Sequence, residues 1–284
     1  MRDYHDPKFS KDCAAAKTAG VSVDRLSCRS SAAASWTTAP RGIVTPLHTV
    51  EPYPMSAPPL VQALGIVRRD AHTATTLLFS TDLALAAGDR IALTGPSGAG
   101  KSVLLRALAL LDPLAAGHIR WHGQAVDRRT IPRYRASIAY LKQRPAIVEG
   151  TVEDNLRYPY LLGVYHDRRF DRARAAYLAK RAGRTVGFLD KRASELSGGE
   201  AQLTALIRVL QLDPEVLLLD EPTASLDPQT TQAVEALVDN WFWAGEHARA
   251  SMWVSHDPAQ AGRVGTRRLT MQVGRLNACE EIHR

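Results

Sequence analysis

Residues 95–102, Gly95-Pro96-Ser97-Gly98-Ala99-Gly100-Lys101-Ser102, have the types and spacing to hold a triphosphate. The glycines let backbone N–H groups turn inward onto anionic oxygens, and a helix starting at the loop's end adds a favourable dipole. Lys101 would reach the β- and γ-phosphates as a point charge, and the Ser102 hydroxyl suits Mg²⁺. The plain alternative is a glycine turn, but the context favours the phosphate loop. A short apolar run, Arg90–Thr94, precedes it, and an apolar-periodic stretch over 102–111 predicts a helix after it.

The run 216–219 is wholly apolar and ends in Asp220 and Glu221. Such a run predicts a strand buried on both faces, as in parallel sheets. Asp220 at its C-terminal end would sit beside the Mg²⁺ shell, and Glu221 could accept a proton from an attacking water. A third element, Leu196-Ser197-Gly198-Gly199-Glu200, has no lysine of its own. Ser197, Gly198 and Gly199 could still present a hydroxyl and N–H groups at a helix start, a second anion site by the same physics. Ser197 with Glu200 three residues on is also a capping box, and the two readings are compatible. One triphosphate does not need two such sites in one chain. Two copies arranged head to tail would use both.

This combination resembles the nucleotide-binding subunit of ABC transporters, and the resemblance covers about residues 60–276. Further motifs fall in the family's order. Gln143, in Tyr140-Leu-Lys-Gln-Arg-Pro145, is similar to the glutamine loop, which senses Mg²⁺ and moves with the permease. Ser225-Leu226-Asp227 resembles the loop that crosses to the second copy, and His256 resembles the switch histidine at the γ-phosphate.

The resemblance implies a Mg²⁺-dependent, transport-coupled ATPase with ATP and Mg²⁺ as its cofactors. Glu221, His256 and Gln143 would be catalytic. Ser102, Gln143 and Asp220 would serve the metal. Residues 95–102, Ser197, Gly198, Gly199 and Asp227 would hold nucleotide. It further implies a homodimer, or a dimer with a paralogue, closing on two ATP. An integral membrane permease chain and a peripheral place on the cytoplasmic face of the inner (plasma) membrane follow, with no nucleic acid.

Three positions depart from the family pattern. No aromatic that could stack on adenine stands in 67–75, except the imidazole of His72. Val103 replaces a common threonine, and Leu203 a common basic residue.

Residues 151–160 and 251–257 look like a small bacterial branch linked to metal export, with iron as the implied cargo. The alternatives are the ATPase of a phosphate-type or other importer, and, in another class, a non-transport ABC ATPase. The latter usually carries long coiled-coil insertions or two cassettes, and neither is present in the sequence.

The implied fold is α/β, a P-loop NTPase of the ABC type with an N-terminal antiparallel β part and an inserted helical subdomain at about 145–200. Strands are predicted over 63–67, Thr76–Leu85, Arg90–Thr94, 119–121, 137–141, 216–219 and 252–255. The segment 144–165, with Tyr158, Tyr160 and Tyr165, is a candidate dock for a short permease helix. The other reading packs these tyrosines into the subdomain core.

The composition, 45% hydrophobic and 23% charged, is that of an ordinary globular protein. No apolar run approaches the roughly 20 residues that span a bilayer. The net charge of +7 reads as a basic solvated surface, because no aromatic-interleaved basic motif accompanies it. Three cysteines, Cys13, Cys28 and Cys279, show no metal-like spacing and fit a reducing compartment. Residues 1–58 are rich in Ala, Ser, Thr and Pro without periodicity, which predicts a disordered extension. Either it is genuine or the natural start is Met55. Residues 59–284 then form the ATPase domain.

Overall fold

A computed structural model describes residues 58–244 and 248–282. The expectations for residues 1–57, including a start at Met55, lie outside them. The described residues open with strands β1 (Val61–Arg69), β2 (Thr76–Leu85) and β3 (Arg90–Thr94), then helix α1 (Lys101–Leu108). Strands β4 (Ala116–Trp121) and β5 (Gln124–Ala125), helix α2 (Ile131–Ser137) and strand β6 (Ile138–Leu141) follow. A helical stretch comes next: α3 (Val152–Arg157), α4 (Arg172–Arg181) and α5 (Gly198–Leu210), joined partly by 3-10 turns. The chain closes with β7 (Val216–Asp220), α6 (Pro228–Trp243), β8 (Ala250–Val254), α7 (Pro258–Val264), β9 (Arg267–Gln272) and β10 (Arg275–Glu281).

Two sheets form. One is antiparallel, in the order β2-β1-β4-β5, and draws strands from both sides of the glycine-rich loop. The other has the order β10-β9-β3-β8-β7-β6. All its pairs are parallel except the β9–β10 hairpin. Helices cover both faces of β7, which explains its unbroken apolar run. Val216 and Leu218 join the core that includes α1 and the antiparallel sheet, while Leu217 and Leu219 join the core of α5 and α6. Leu203, where the resemblance suggested a basic residue, is fully buried in that second core.

The structure departs from the sequence reading at several points. The helix predicted over 102–111 is shorter. Leu110 takes the left-handed conformation (φ 52°), and the N–H groups of Leu110 and Leu111 bond back to Ala107 and Arg106. This is a Schellman ending without a glycine to announce it. The β9–β10 hairpin was not foreseen, because its tight turn uses Val273 (φ 45°) and Gly274 (φ 71°) rather than Asn-Gly. Helices α2, α6 and α7 were also missed, although Asp227-Pro228 and Asp257-Pro258 carry start signals. Between the two readings of the tyrosines, the structure divides the three. Tyr165 is buried and Tyr160 stands edge-on to Phe170, whereas Tyr158, Leu161 and Leu162 are exposed.

Leu218→Ala should cost about 3 kcal/mol, because a fully buried side chain leaves a cavity between two packed layers. Leu161→Ala, at an exposed position, should stay within about 0.5 kcal/mol. Urea unfolding of the two variants checks both values.

Candidate functional site

The glycine-rich loop leaves β3 under β9. Gly95 has φ 142°, and a Cβ there would lie 2.2 Å from the Met271 carbonyl oxygen, so only glycine fits. Gly100 (φ 102°) opens α1 without any side-chain cap. Helix α2 also lacks a side-chain cap, whereas α3, α4, α5, α6 and α7 are capped by Thr151, Asp171, Ser197, Asp227 and Asp257. The first N–H groups of α1 therefore lack an intrahelical or capping acceptor, which is the state that suits a phosphate.

Lys101 is buried, and its ammonium donates to the carbonyls of Gly95 (3.0 Å) and Pro96 (2.9 Å). Burial pushes its pKa down, against the pull of the Glu221 and Asp220 carboxylates. The amine thus sits where anionic charge would favour its protonated form.

Asp220, at the end of β7, is buried. Its Oδ1 accepts from the Ser102 hydroxyl at 3.0 Å, and its Oδ2 accepts from the Tyr140 hydroxyl at 2.8 Å. Burial first, then the Asp220 charge, raises the Tyr140 pKa far above its ordinary value. Ser102 and Asp220 together offer hard oxygen donors of the kind Mg²⁺ takes.

Glu221 follows in the left-handed region (φ 49°), and its Oε1 lies 2.7 Å from His256 Nε2. Behind this pair runs a polar network. Buried Gln260 accepts from the Ser255 hydroxyl (2.8 Å) and donates to Thr223 (2.9 Å) and Glu235 (2.8 Å). It ties the loop after β7 to the loop after β8, and so sets Glu221 against His256. Sequence reasoning overlooked Gln260 and Tyr140. Tyr140 lay inside the segment quoted for Gln143, but nothing local says that its hydroxyl meets Asp220.

The structure thus gathers Lys101, Ser102, Asp220, Glu221 and His256 at the ends of β3, β7 and β8. Gln143 lies exposed in the loop after β6. His72 stands exposed in the β1–β2 turn, whose backbone is held by Asp70. Ser197 caps α5, with its Oγ accepting from Glu200 N–H at 3.2 Å, while Glu200 accepts from Ser197 N–H (2.9 Å) and Lys191 (2.7 Å). Burial works against the Glu200 carboxylate, yet these donors hold its pKa below the ordinary value. Asp227 caps α6 through the Thr230 hydroxyl (2.6 Å) and N–H (2.9 Å), which lower its pKa. Among the described residues, no hydrogen bond joins Ser197, Gly198, Gly199 or Asp227 to the glycine-rich loop.

Residues 78–224, just over half of the chain, match the ABC transporter family. "Protein STAR1" of Oryza sativa subsp. japonica is 40% identical over 184 residues, which cover 64% of this chain and 52% of that protein. The chain therefore spans about half the length of that relative. "Probable iron export ATP-binding protein FetA" of Escherichia coli K12 is 36% identical over 197 residues, covering 69% of this chain and 84% of that protein. A solved dimeric ATP-binding cassette, in a post-hydrolysis state with ADP and phosphate, has the same fold. Its TM-score is 0.69 at 23% identity, over 79% of this chain and 99% of that one. No described helix is long and apolar enough to cross a membrane. Together with the phosphate loop, the acidic strand end and the capped second glycine element, these similarities show that the chain belongs to the ABC transporter family through its ATP-binding domain.

Proposed function

We propose that this chain binds and hydrolyses ATP to drive transport through a separate membrane permease, and that two copies close on two ATP molecules. The observation that carries the reading is the convergence of Lys101, Ser102 and Asp220 with the Glu221–His256 pair at the ends of three adjacent parallel strands. Residues 59–284 act as the ATPase domain, with about 145–200 as its helical subdomain.

In this reading Lys101 leaves the Gly95 and Pro96 carbonyls for the β- and γ-phosphates. The N–H groups of residues 98–102 close around the same oxygens, with Pro96 and Ser97 shaping the loop. Ser102 and Asp220 would hold Mg²⁺, and Gln143, in the loop after β6, would serve it as well. Mg²⁺, when bound, offsets charge on the phosphoryl oxygens. Glu221 takes the proton of the attacking water, and His256 orients Glu221 and meets the γ-phosphate. The chain contributes positioning and charge rather than covalent chemistry.

Each site is completed from the other copy, where the α5 start (Ser197, Gly198, Gly199) and Asp227 face the nucleotide. A solved cassette of the same fold being a dimer supports this. The exposed Tyr158, Leu161 and Leu162 offer an apolar patch to a short permease helix, which would hold the chain on the cytoplasmic face of the inner (plasma) membrane. Metal export, with iron as cargo, is favoured by the similarity to the Escherichia coli protein over most of that protein's length.

Glu221→Gln should keep ATP affinity, slow hydrolysis by about a hundredfold or more, and trap an ATP-bound dimer. Steady-state ATPase assays with size-exclusion chromatography in ATP check this, and near-normal turnover would remove Glu221 from its role. The cargo is tested by isolating the chain from its native membranes with the polytopic protein that accompanies it. Deleting that protein should raise cellular iron. Lowered uptake of another solute on deletion would replace export with import.

A further inference from the structure

Tyr140 has no part in the proposed hydrolysis, yet its hydroxyl makes a direct contact with the carboxylate at the centre of the site. Asp220 has two oxygens, and each is taken by a different hydroxyl. Oδ1 accepts from Ser102 on α1, and Oδ2 accepts from Tyr140 on β6 at 2.8 Å. The second bond follows from the sheet. β6 and β7 run parallel with Tyr140 opposite Leu218, and Asp220 lies two residues further along β7 on the same face. A long side chain leaning along the strand spans that offset.

The Tyr140 ring packs against the core that holds α1, so its hydroxyl approaches Asp220 from a fixed direction. A carboxylate at the end of a strand can otherwise turn about its terminal bond, since such torsions are broad. With Oδ2 anchored, that turn is blocked and Oδ1 stays directed at Ser102.

We propose that Tyr140 is a positioning residue for the divalent cation: its hydroxyl locks the Asp220 carboxylate so that the oxygen facing Ser102 is presented to the metal. The inference rests on the reading of Ser102 and Asp220 as the cation's protein ligands. Tyr140 touches neither nucleotide nor metal in it and acts through Asp220 alone. The cost of losing it therefore falls on metal binding and not on the phosphate contacts of Lys101 and the loop. Tyr140→Phe keeps the ring and its packing and removes only the donor, leaving Oδ2 buried without its partner.

The test is a Mn²⁺ titration followed by electron paramagnetic resonance, with a non-hydrolysable ATP analogue present. It is run on the full chain, on Tyr140→Phe and on Asp220→Asn. Affinity for the analogue in EDTA is measured alongside. Tyr140→Phe is expected to bind Mn²⁺ about tenfold more weakly, with the metal-free analogue affinity within about twofold of the parent and Asp220→Asn weaker than the parent too. Parent-like Mn²⁺ binding by Tyr140→Phe, with Asp220→Asn weakened, would overturn the proposal and leave the reading of Asp220 standing. An equal loss of analogue affinity in EDTA would also overturn it, by showing a general packing role. Parent-like Mn²⁺ binding by Asp220→Asn would overturn the underlying reading and the proposal with it.

Discussion

The parallel strands β6, β7 and β8 set the position of the Asp220 carboxylate, and most of the site depends on that carboxylate. β7 pairs with β6 on one side and β8 on the other, with Leu219 opposite Leu141 and Asp220 opposite Val254. The register is held because both faces of β7 are buried, so a one-residue slip would exchange every side chain between two cores. Asp220 and Glu221 are then delivered to the strand's open end, where apolar packing stops and polar chemistry can begin. Ser102 meets Asp220 because α1 packs onto the same sheet, and His256 meets Glu221 because β8 is β7's neighbour.

Two helix starts carry the other half of the account. α1 begins on a bare glycine, with Lys101 turned back onto its own loop, so its N–H groups and its ammonium are available to an anion together. α5 begins on Ser197, whose hydroxyl is already engaged with Glu200. Lys191 braces Glu200 in turn, which makes this start a rigid, preformed surface rather than a loop awaiting order. No described hydrogen bond joins the two starts within the chain. In the proposed head-to-tail pairing, the α5 start of a second copy would bring both to one nucleotide.

The phosphate loop was legible in the sequence because its chemistry dictates residue types at consecutive positions. The same holds for the apolar run into Asp220 and for the Ser197–Glu200 box. What escaped was long-range. Tyr140 and Gln260 act on partners 80 and 37 residues away in the chain, and no local pattern announces such contacts. The reason Gly95 must be glycine lies in the Met271 carbonyl of a distant strand. The end of α1 and the β9–β10 turn were missed for a different cause. Both place a bulky residue, Leu110 or Val273, in a left-handed conformation where glycine or asparagine is the expected signal. Of the three tyrosines, only burial could say which belong to the core and which to the surface.

The central claim is that each nucleotide site is assembled from two copies, and mixing two inactive variants tests it most directly. Lys101→Ala spoils the phosphate loop and Ser197→Arg spoils the facing helix start, so neither variant alone has an intact site. Random pairing of equal amounts restores one composite site in each mixed dimer, about a quarter of the parent's sites. ATP occlusion measured on the mixture is predicted to reach that level while each variant alone shows none. Occlusion in the mixture no greater than the sum of the separate variants would contradict the account.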